Sequence, residues 1–315
     1  MLIKVADDKQ PQIDALGALL GRPDVEATTR KLIDQEIRTM RAGAKGERDA
    51  AYEIDFQYRD RDSYMVIHDL RIEFGGRVAQ IDHLLINRVL DVWVCETKAF
   101  SEGVKINEYG EWFRYGWGRA HGMASPVEQN RRHVAVLGDV FDKGPITLPR
   151  RLVRLKPTLL PVVLVSNDAR IDRPKTKAAA ARVDGLDTVI KVEQLVRTIE
   201  RRFDDRNVVG MVSKLVGAET IERIARELVA MHMPANVDWA GKFGLSAAPT
   251  VTPPTAVESA SSHQRSSSPI PLACETCGRP VSEKVEAYSR EHADRFGGQV
   301  LCWDCQRKAS RHPAT

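Results

Sequence analysis

The chain has 315 residues, of which 43% are hydrophobic and 29% charged, and its formal net charge is +4. That length holds one large domain or two unequal ones, and the composition is that of a globular protein rather than a collagenous or largely disordered one. The small positive excess has the sign that suits a phosphate-rich partner but sets up no strong global field.

The opening residues, MLIKVADDKQ, lack the apolar stretch of a secretory signal. The longest apolar run, residues 159–165, is interrupted by Pro161 and is too short to cross a bilayer. The expectation is a cytoplasmic protein with no membrane partner. Residues 24–40 carry Val25, Leu32, Ile33, Ile37 and Met40 at close to helical spacing, and residues 44–54 predict a second helix, with Gly43 and Gly46 flanking its start and Glu47 in its first turn. Three strands follow: residues 64–70, residues 78–86 after the turn at Gly75-Gly76, and residues 92–98. So few residues separate the last two that a hairpin is the economical connection.

Beyond them, short strands are expected around Trp112 and Tyr115, and Ser125-Pro126 reads as a helix start with proline at the first helical position. A buried strand at residues 161–166, another at 187–192, and helices at 193–203, 208–215 and 219–231 complete the folded part. Residues 236–271 are rich in Ala, Ser, Thr and Pro, a composition that buries too little to offset its ordering entropy, so a flexible linker is expected there. The chain thereby divides into a helical extension (1–42), a main domain (43–205), a second helical extension (206–235), the linker (236–271) and a small cysteine-containing module (272–315).

The chemistry concentrates on the third strand. Glu96 and Lys98 are two residues apart, so they project from one face, with Cys95 and Thr97 on the other. A turn centred on Val89 sets Asp82 directly opposite Glu96, with Cβ atoms about 4.5–5.5 Å apart. Two carboxylates that close repel unless a cation intervenes. A hard divalent ion between them, with Lys98 at the edge, relieves the repulsion and supplies what phosphodiester hydrolysis needs. A surface ion pair also explains a lone E-x-K. The opposed Asp82 weighs against that, because it interrupts an apolar run, I-D-H-L-L-I.

Four ordered pieces, A-G-A-K-G-E-R around Gly46 and Glu47, A-Q-I-D-H-L-L-I around Asp82, V-W-V-C-E-T-K ending at Lys98, and S-P-V-E-Q-N-R-R-H with Pro126 and Gln129, resemble the nuclease-related domain (NERD) of the PD-(D/E)xK nuclease superfamily. The resemblance implies an α/β, restriction-endonuclease-like core, a mixed central sheet flanked by helices. It implies a metal-dependent nuclease acting on nucleic acid, DNA in this reading, with Mg²⁺ or Mn²⁺ bound by Asp82, Glu96 and the Thr97 carbonyl. Lys98 would position the attacking water, Glu47 would be an outer or second-metal ligand, and Gln129 would face the site from the later helix. An acid in the first turn of a helix is also favoured by the dipole alone, so Glu47 has a second explanation. The alternative is a non-catalytic nucleic-acid or protein interaction module retaining the fold. The family's usual glycine before the third strand is absent, and Val89-Leu90-Asp91 stands there. Asp91 is the residue expected to tolerate an unusual backbone angle.

Near the C-terminus, Cys274-x-x-Cys277 and Cys302-x-x-Cys305 offer four thiolates, a donor set suited to structural Zn²⁺. Val281, Val285, Tyr288, Phe296 and Val300 form a tiny core that needs the metal. The module is similar to the zinc ribbons of nucleic-acid enzymes, and its basic residues and Trp303 would touch phosphate and base. A protein partner is the competing role. The basic groups Arg131-Arg132, Arg150-Arg151 with Arg154 and Lys156, and Arg173 with Lys175 and Lys177 read by default as solvated faces.

Overall fold

Residues 27–58 form one unbroken helix, α2 (Ala27–Tyr58), in the computed structural model of the chain. The structure describes residues 1–116, 118–150, 155–204, 215–246, 273–277, 279, 281, 283–302 and 305–306. Two compact units emerge, residues 1–250 and 251–315. The helix runs straight through the boundary expected at residue 43, and neither Gly43 nor Gly46 starts it. Gly46 is there for packing: a Cβ on it would lie 2.6 Å from the Ala99 Cβ, so only glycine lets the helix approach the chain just past Lys98. The N-terminal half of α2 buries Ile33 and Ile37 with Ile13 and Leu16 of α1 (Gln10–Leu20) and with Trp239. Its C-terminal half lays Ala50, Ile54 and Tyr58 on a sheet.

That sheet has six strands in the order β1-β2-β3-β4-β8-β10. β2 (Tyr64–Phe74), β3 (Arg77–Asn87) and β4 (Asp91–Lys98) form an antiparallel meander. β8 (Thr158–Val165) runs parallel to β4, β10 (Val189–Lys191) parallel to β8, and β1 (Leu2–Lys4) parallel to β2. The N-terminal segment expected to be an extension thus supplies an edge strand. One face is covered by α2 and α5 (Leu195–Asp204) around Leu85, Trp93, Cys95 and Leu164. The other is covered by α3 (Pro126–Lys143) and α6 (Ala218–Ala230) around Ile67, Leu84, Val92 and Val94. A fully buried Leu, Ile or Val contributes about 1.5–3 kcal/mol, so the two faces fix which side each β4 residue takes.

Strand alternation slips at one place. Met65 and Ile67, then Leu70 and Ile72, all join the α3-side core, as do Ala79 and Ile81, then Leu84 and Ile86. The parity changes between Ile67 and Leu70 in β2 and between Ile81 and Leu84 in β3. The pairing His68↔His83 and Leu70↔Ile81 nevertheless keeps one register. The residues at the slip are Asp69, with φ 53°, and Asp82.

The β3–β4 turn is organised by Asn87. Its side-chain oxygen accepts from the N–H groups of Val89 and Asp91 at 3.1 and 3.0 Å, and its carbonyl accepts from Leu90 N–H at 2.9 Å. The left-handed residue is Leu90, φ 57°, rather than Asp91. Leu90 tolerates this because its side chain is buried in the α3-side core.

Between β4 and β8 the chain builds a second sheet, order β7-β6-β5-β9, from β5 (Gly103–Ile106), β6 (Trp112–Gly116), β7 (Arg119–Met123) and β9 (Arg170–Asp172). It then enters α3, capped by the Ser125 side chain on Glu128 N–H with Pro126 in the first turn. Pro161 brings no N–H to β8. The Asn130 side-chain amide of α3 donates to the carbonyls of Val94 and Val162 on either side of that junction, at 2.8 and 3.0 Å. A single turn, α4 (Lys177–Ala180), follows β9.

Residues 236–246 do not behave as the expected linker. Asp238 caps a short helix, α7 (Trp239–Lys242), and Trp239, Phe243 and Leu245 pack on α1 and α2, because these large apolar groups are set among the small polar ones. The rest of that linker and most of the helix expected at 208–215 lie outside the described residues. Among the described residues, no helix is long and apolar enough to cross a membrane.

The second unit contains α8 (Glu283–Glu291) and the turn α9 (Ala293–Phe296). Its core is Cys274, Phe296 and Leu301, with Val281 and Tyr288 alongside. Ser289 Oγ accepts from Leu301 N–H at 3.2 Å and from the Gln306 side chain at 3.0 Å. Trp303, Arg307, Lys308 and Arg311 lie outside the described residues.

Candidate functional site

The end of β4 gathers the acidic groups. Glu96 is only 3% exposed, on the α3 face of the sheet, and Lys98 Nζ lies 2.7 Å from its Oε1. The β3–β4 pairs run from Ile86↔Val92 to His83↔Cys95. One step further in that register, Asp82 stands across from Glu96, and Asp82 Oδ2 accepts the Thr97 N–H at 2.6 Å. The register expected from the turn around Val89 is therefore the one found.

Burial, then the neighbouring Glu96 and Glu47 carboxylates, push the Asp82 carboxyl well above the usual carboxylate range, against the opposing pull of the Thr97 N–H and Lys98. Glu47 is also raised, by burial first, with Asp69 and Glu96 adding to it and Lys9 and Lys98 opposing. These mutual influences put Glu47 beside the cluster. Since it stands deep inside α2 rather than in a first turn, the helix dipole does not account for it.

Two further groups border Glu96 and Asp82. His133 of α3 has Nε2 3.5 Å from Glu96 Oε2, while its Nδ1 accepts the Gln80 N–H at 3.2 Å. Gln129 lies one helical turn before His133 on the same side of α3, partly exposed. On the β2 side, Asp69 accepts from Lys9 Nζ at 2.7 Å and from the Gln80 side chain at 2.9 Å. Lys9, Asp69, Gln80 and His133 were not in the sequence-derived set. Asp69 and Gln80 have no spacing signal, because the slip alone brings them in. His83, also visible in the sequence, belongs elsewhere: its Nδ1 is 2.8 Å from His68 Nδ1 in the α2-side interior, and burial lowers its pKa well below the ordinary histidine value.

The residues present suit a hard divalent cation. The neighbouring Glu96 carboxylate adds to the cost of ionising both Asp82 and Glu47. Glu96 Oε2 is buried with no hydrogen-bond partner among the described residues. Oxygen donors of this kind are the preferred ligands of Mg²⁺ and Mn²⁺.

In the second unit, the sulfurs of Cys274, Cys277, Cys302 and Cys305 all lie within 4.8 Å of one another. A tetrahedral zinc with Zn–S near 2.3 Å sets its sulfurs about 3.8 Å apart, and Cys277 Sγ and Cys302 Sγ are 3.6 Å apart. Backbone N–H groups, that of Cys302 foremost and then those of Cys277 and Thr276, hold the Cys274 thiol down to about 6. The four cysteines can hold a metal such as zinc.

Residues 42–157 match the family model of the nuclease-related domain, NERD. The matched segment takes in Glu47, Asp82, Glu96, Lys98 and Gln129 and stops just before β8. No curated protein and no solved structure matches the chain. The mixed sheet flanked by helices agrees with the α/β architecture expected from the sequence.

Proposed function

We propose that the chain is a metal-dependent nuclease that hydrolyses phosphodiester bonds, with DNA as its substrate. The observation that carries this reading is the convergence of Asp82, Glu96 and Glu47 around Lys98, within the segment that matches a nuclease-related domain. Asp82, Glu96 and the Thr97 carbonyl would hold Mg²⁺ or Mn²⁺, with Glu47 as an outer ligand. The bound ion would acidify water and screen the phosphate charge. Lys98, 26% exposed at its side chain, would donate to the attacking water and to the phosphate oxygens. His133 would hold Glu96 in place from behind, and Gln129 would contact substrate from α3. Zn²⁺ at the four cysteines would be structural, with the second unit serving as a docking element for nucleic acid or for a protein partner.

The test is cleavage of single-stranded, duplex and circular DNA by metal-loaded protein, with Lys98→Ala as the paired control. If the parent protein binds DNA and cuts none of these forms, the enzymatic reading is wrong.

One observation favours the non-catalytic alternative. Lys98 and Glu96 already satisfy each other at 2.7 Å, as in a site that has settled into an ion pair. Calorimetry separates the two. A catalytic site binds Mn²⁺ and loses that binding in Asp82→Asn, whereas a retained fold shows no such linkage.

A further inference from the structure

The small sheet carries a charged cleft that the carboxylate cluster does not use. β5 leaves the end of β4, β9 leaves the end of β8, and the two pair in parallel from Gly103↔Arg170 onward. Gly103, φ 147°, is required at that junction, since a Cβ there would fall 2.4 Å from the Arg170 carbonyl oxygen. The small sheet is thus anchored at the same end of the main sheet as Lys98, which pairs with the last residue of β8.

Its inner side is apolar, with Val104, Ile106 and Trp112 buried and Ile171 against them. On the other side a cleft of about 790 Å³ opens. Lys105 and Arg170 enter it from the sheet, and Arg173, Lys175 and Arg182 enter it from the segment after β9. Two carboxylates, Glu108 and Asp172, face these five cations. Asp172 is committed to Arg170 at 2.5 Å and to the Tyr115 hydroxyl at 2.7 Å. Lys105, Lys175 and Arg182 have no ion pair among the described residues. Charges of one sign gathered in a concave surface repel each other and focus a field that attracts the opposite charge. In sequence, Arg173 and Lys175 look like a solvated run. The fold instead sets them across a cleft from Lys105.

We propose that this cleft is a docking subsite for the nucleic-acid backbone, holding phosphodiesters that flank the bond to be cut. The inference rests on the nuclease reading in taking nucleic acid as the ligand. Lys105 follows Lys98 by seven positions, so the two are at most about 25 Å apart along the chain. At about 3.4 Å per base pair, that is a reach of about seven base pairs.

The experiment measures fluorescence anisotropy of a labelled DNA oligonucleotide of about twenty nucleotides, spanning the roughly 3.4 Å per nucleotide needed to bridge both sites. The protein is the full chain carrying Lys98→Ala, without added divalent metal. Combining Lys105→Glu, Lys175→Glu and Arg182→Glu is expected to weaken binding at least about tenfold and to lower the salt slope by about 2–3, near 0.9 per lost phosphate contact. The set Lys105→Gln, Lys175→Gln and Arg182→Gln moves the same way by a smaller amount, which guards against a folding defect in the reversed set. A control with equal charge change outside the cleft, Lys31→Glu, Arg38→Glu and Lys143→Glu, is expected to bind within twofold of the parent. Equal weakening in the control, or unchanged binding in the cleft variants, overturns the proposal. So does binding of a mononucleotide as tight as that of the long strand. With binding read in the Lys98→Ala background and cleavage read in the unsubstituted, metal-loaded chain, the two readings fail separately. If the unsubstituted chain cuts nothing while the cleft variants lose DNA, the nuclease reading alone is lost. If it cuts while the cleft variants bind DNA unchanged, the cleft alone is lost.

Discussion

The two candidate metal centres are built in opposite ways. The oxygen cluster at the end of β4 stands on a sheet with an extensive apolar core on each face, so its carboxylates are held near one another by a fold that does not depend on them. The four-sulfur centre stands on a core of Cys274, Phe296 and Leu301 with a few partly buried neighbours. A core that small supplies little stability without a staple. One centre strains against its scaffold, and the other serves as its scaffold.

The sharpest way to break the contrast is to remove metal. Structural zinc stabilises small domains by about 10–16 kcal/mol in apparent terms. A zinc chelator is therefore expected to abolish hydrogen-exchange protection at the Leu301 amide, which rests on Ser289, while amides of β3 and β4 keep theirs. Persisting protection at Leu301 would show that the second unit folds without metal. The next largest effect is on activity alone. Lys98→Ala is expected to lower cleavage by about 100-fold or more, the usual scale for losing one charge-stabilising donor, with an unfolding midpoint close to the parent's. A large stability loss would instead mark Lys98 as a structural ion-pair partner.

The strain on the oxygen cluster has a pH signature. Between the ordinary value of 3.8 and its raised value in the fold, Asp82 holds a proton in the folded state that the unfolded chain has released. Metal-free stability therefore falls as pH climbs through that interval and levels off above it. Asp82→Asn is expected to flatten this slope and to raise metal-free stability at neutral pH. Urea titrations across pH that show the same slope in both proteins would mean the carboxylates are not strained.

Smaller effects probe the scaffold. Gly46→Ala gains about 0.5–1 kcal/mol of helix preference but drives a methyl into Ala99, where overpacking costs about 1–3 kcal/mol. A net loss is expected in chemical denaturation, together with a displaced Lys98 and lower cleavage. Leu90→Gly relieves about 1–2 kcal/mol of left-handed strain and gives up about 1.5–3 kcal/mol of burial. It should end slightly less stable than the parent, and a clear gain in stability would show that the turn strain dominates.

Much of this was legible in the residues. The β2–β3–β4 meander followed from apolar runs and turn residues. The opposition of Asp82 and Glu96 followed from the loop length, and the four-cysteine set from its spacing. Other features were hidden for physical reasons. Gly43 and Gly46 mimic a helix start because glycine serves both as a breaker and as a close-approach residue, and only the position of Ala99 tells which applies. Leu90 carries no mark of a positive φ, since its tolerance comes from tertiary burial. His133 reaches Glu96, and Lys105 reaches the Arg173–Arg182 segment, through pairings between distant parts of the chain that no local pattern records. The polar composition around Trp239 masked three apolar anchors.

The paired slip at Asp69 and Asp82 constrains how this protein can vary. Because both strands change parity at the same rung, deleting one aspartate alone would restore regular alternation in its own strand but leave the other strand's aspartate unopposed, as a bulge that disrupts the ladder between the two strands. Only the simultaneous loss of both restores a regular hairpin, and that double change erases a carboxylate of the proposed metal site. Insertions and deletions at this rung should therefore show strong sign epistasis: each is damaging alone, and the pair is foldable but inactive. A deletion scan of β2 and β3, scored for abundance and for cleavage separately, would expose this.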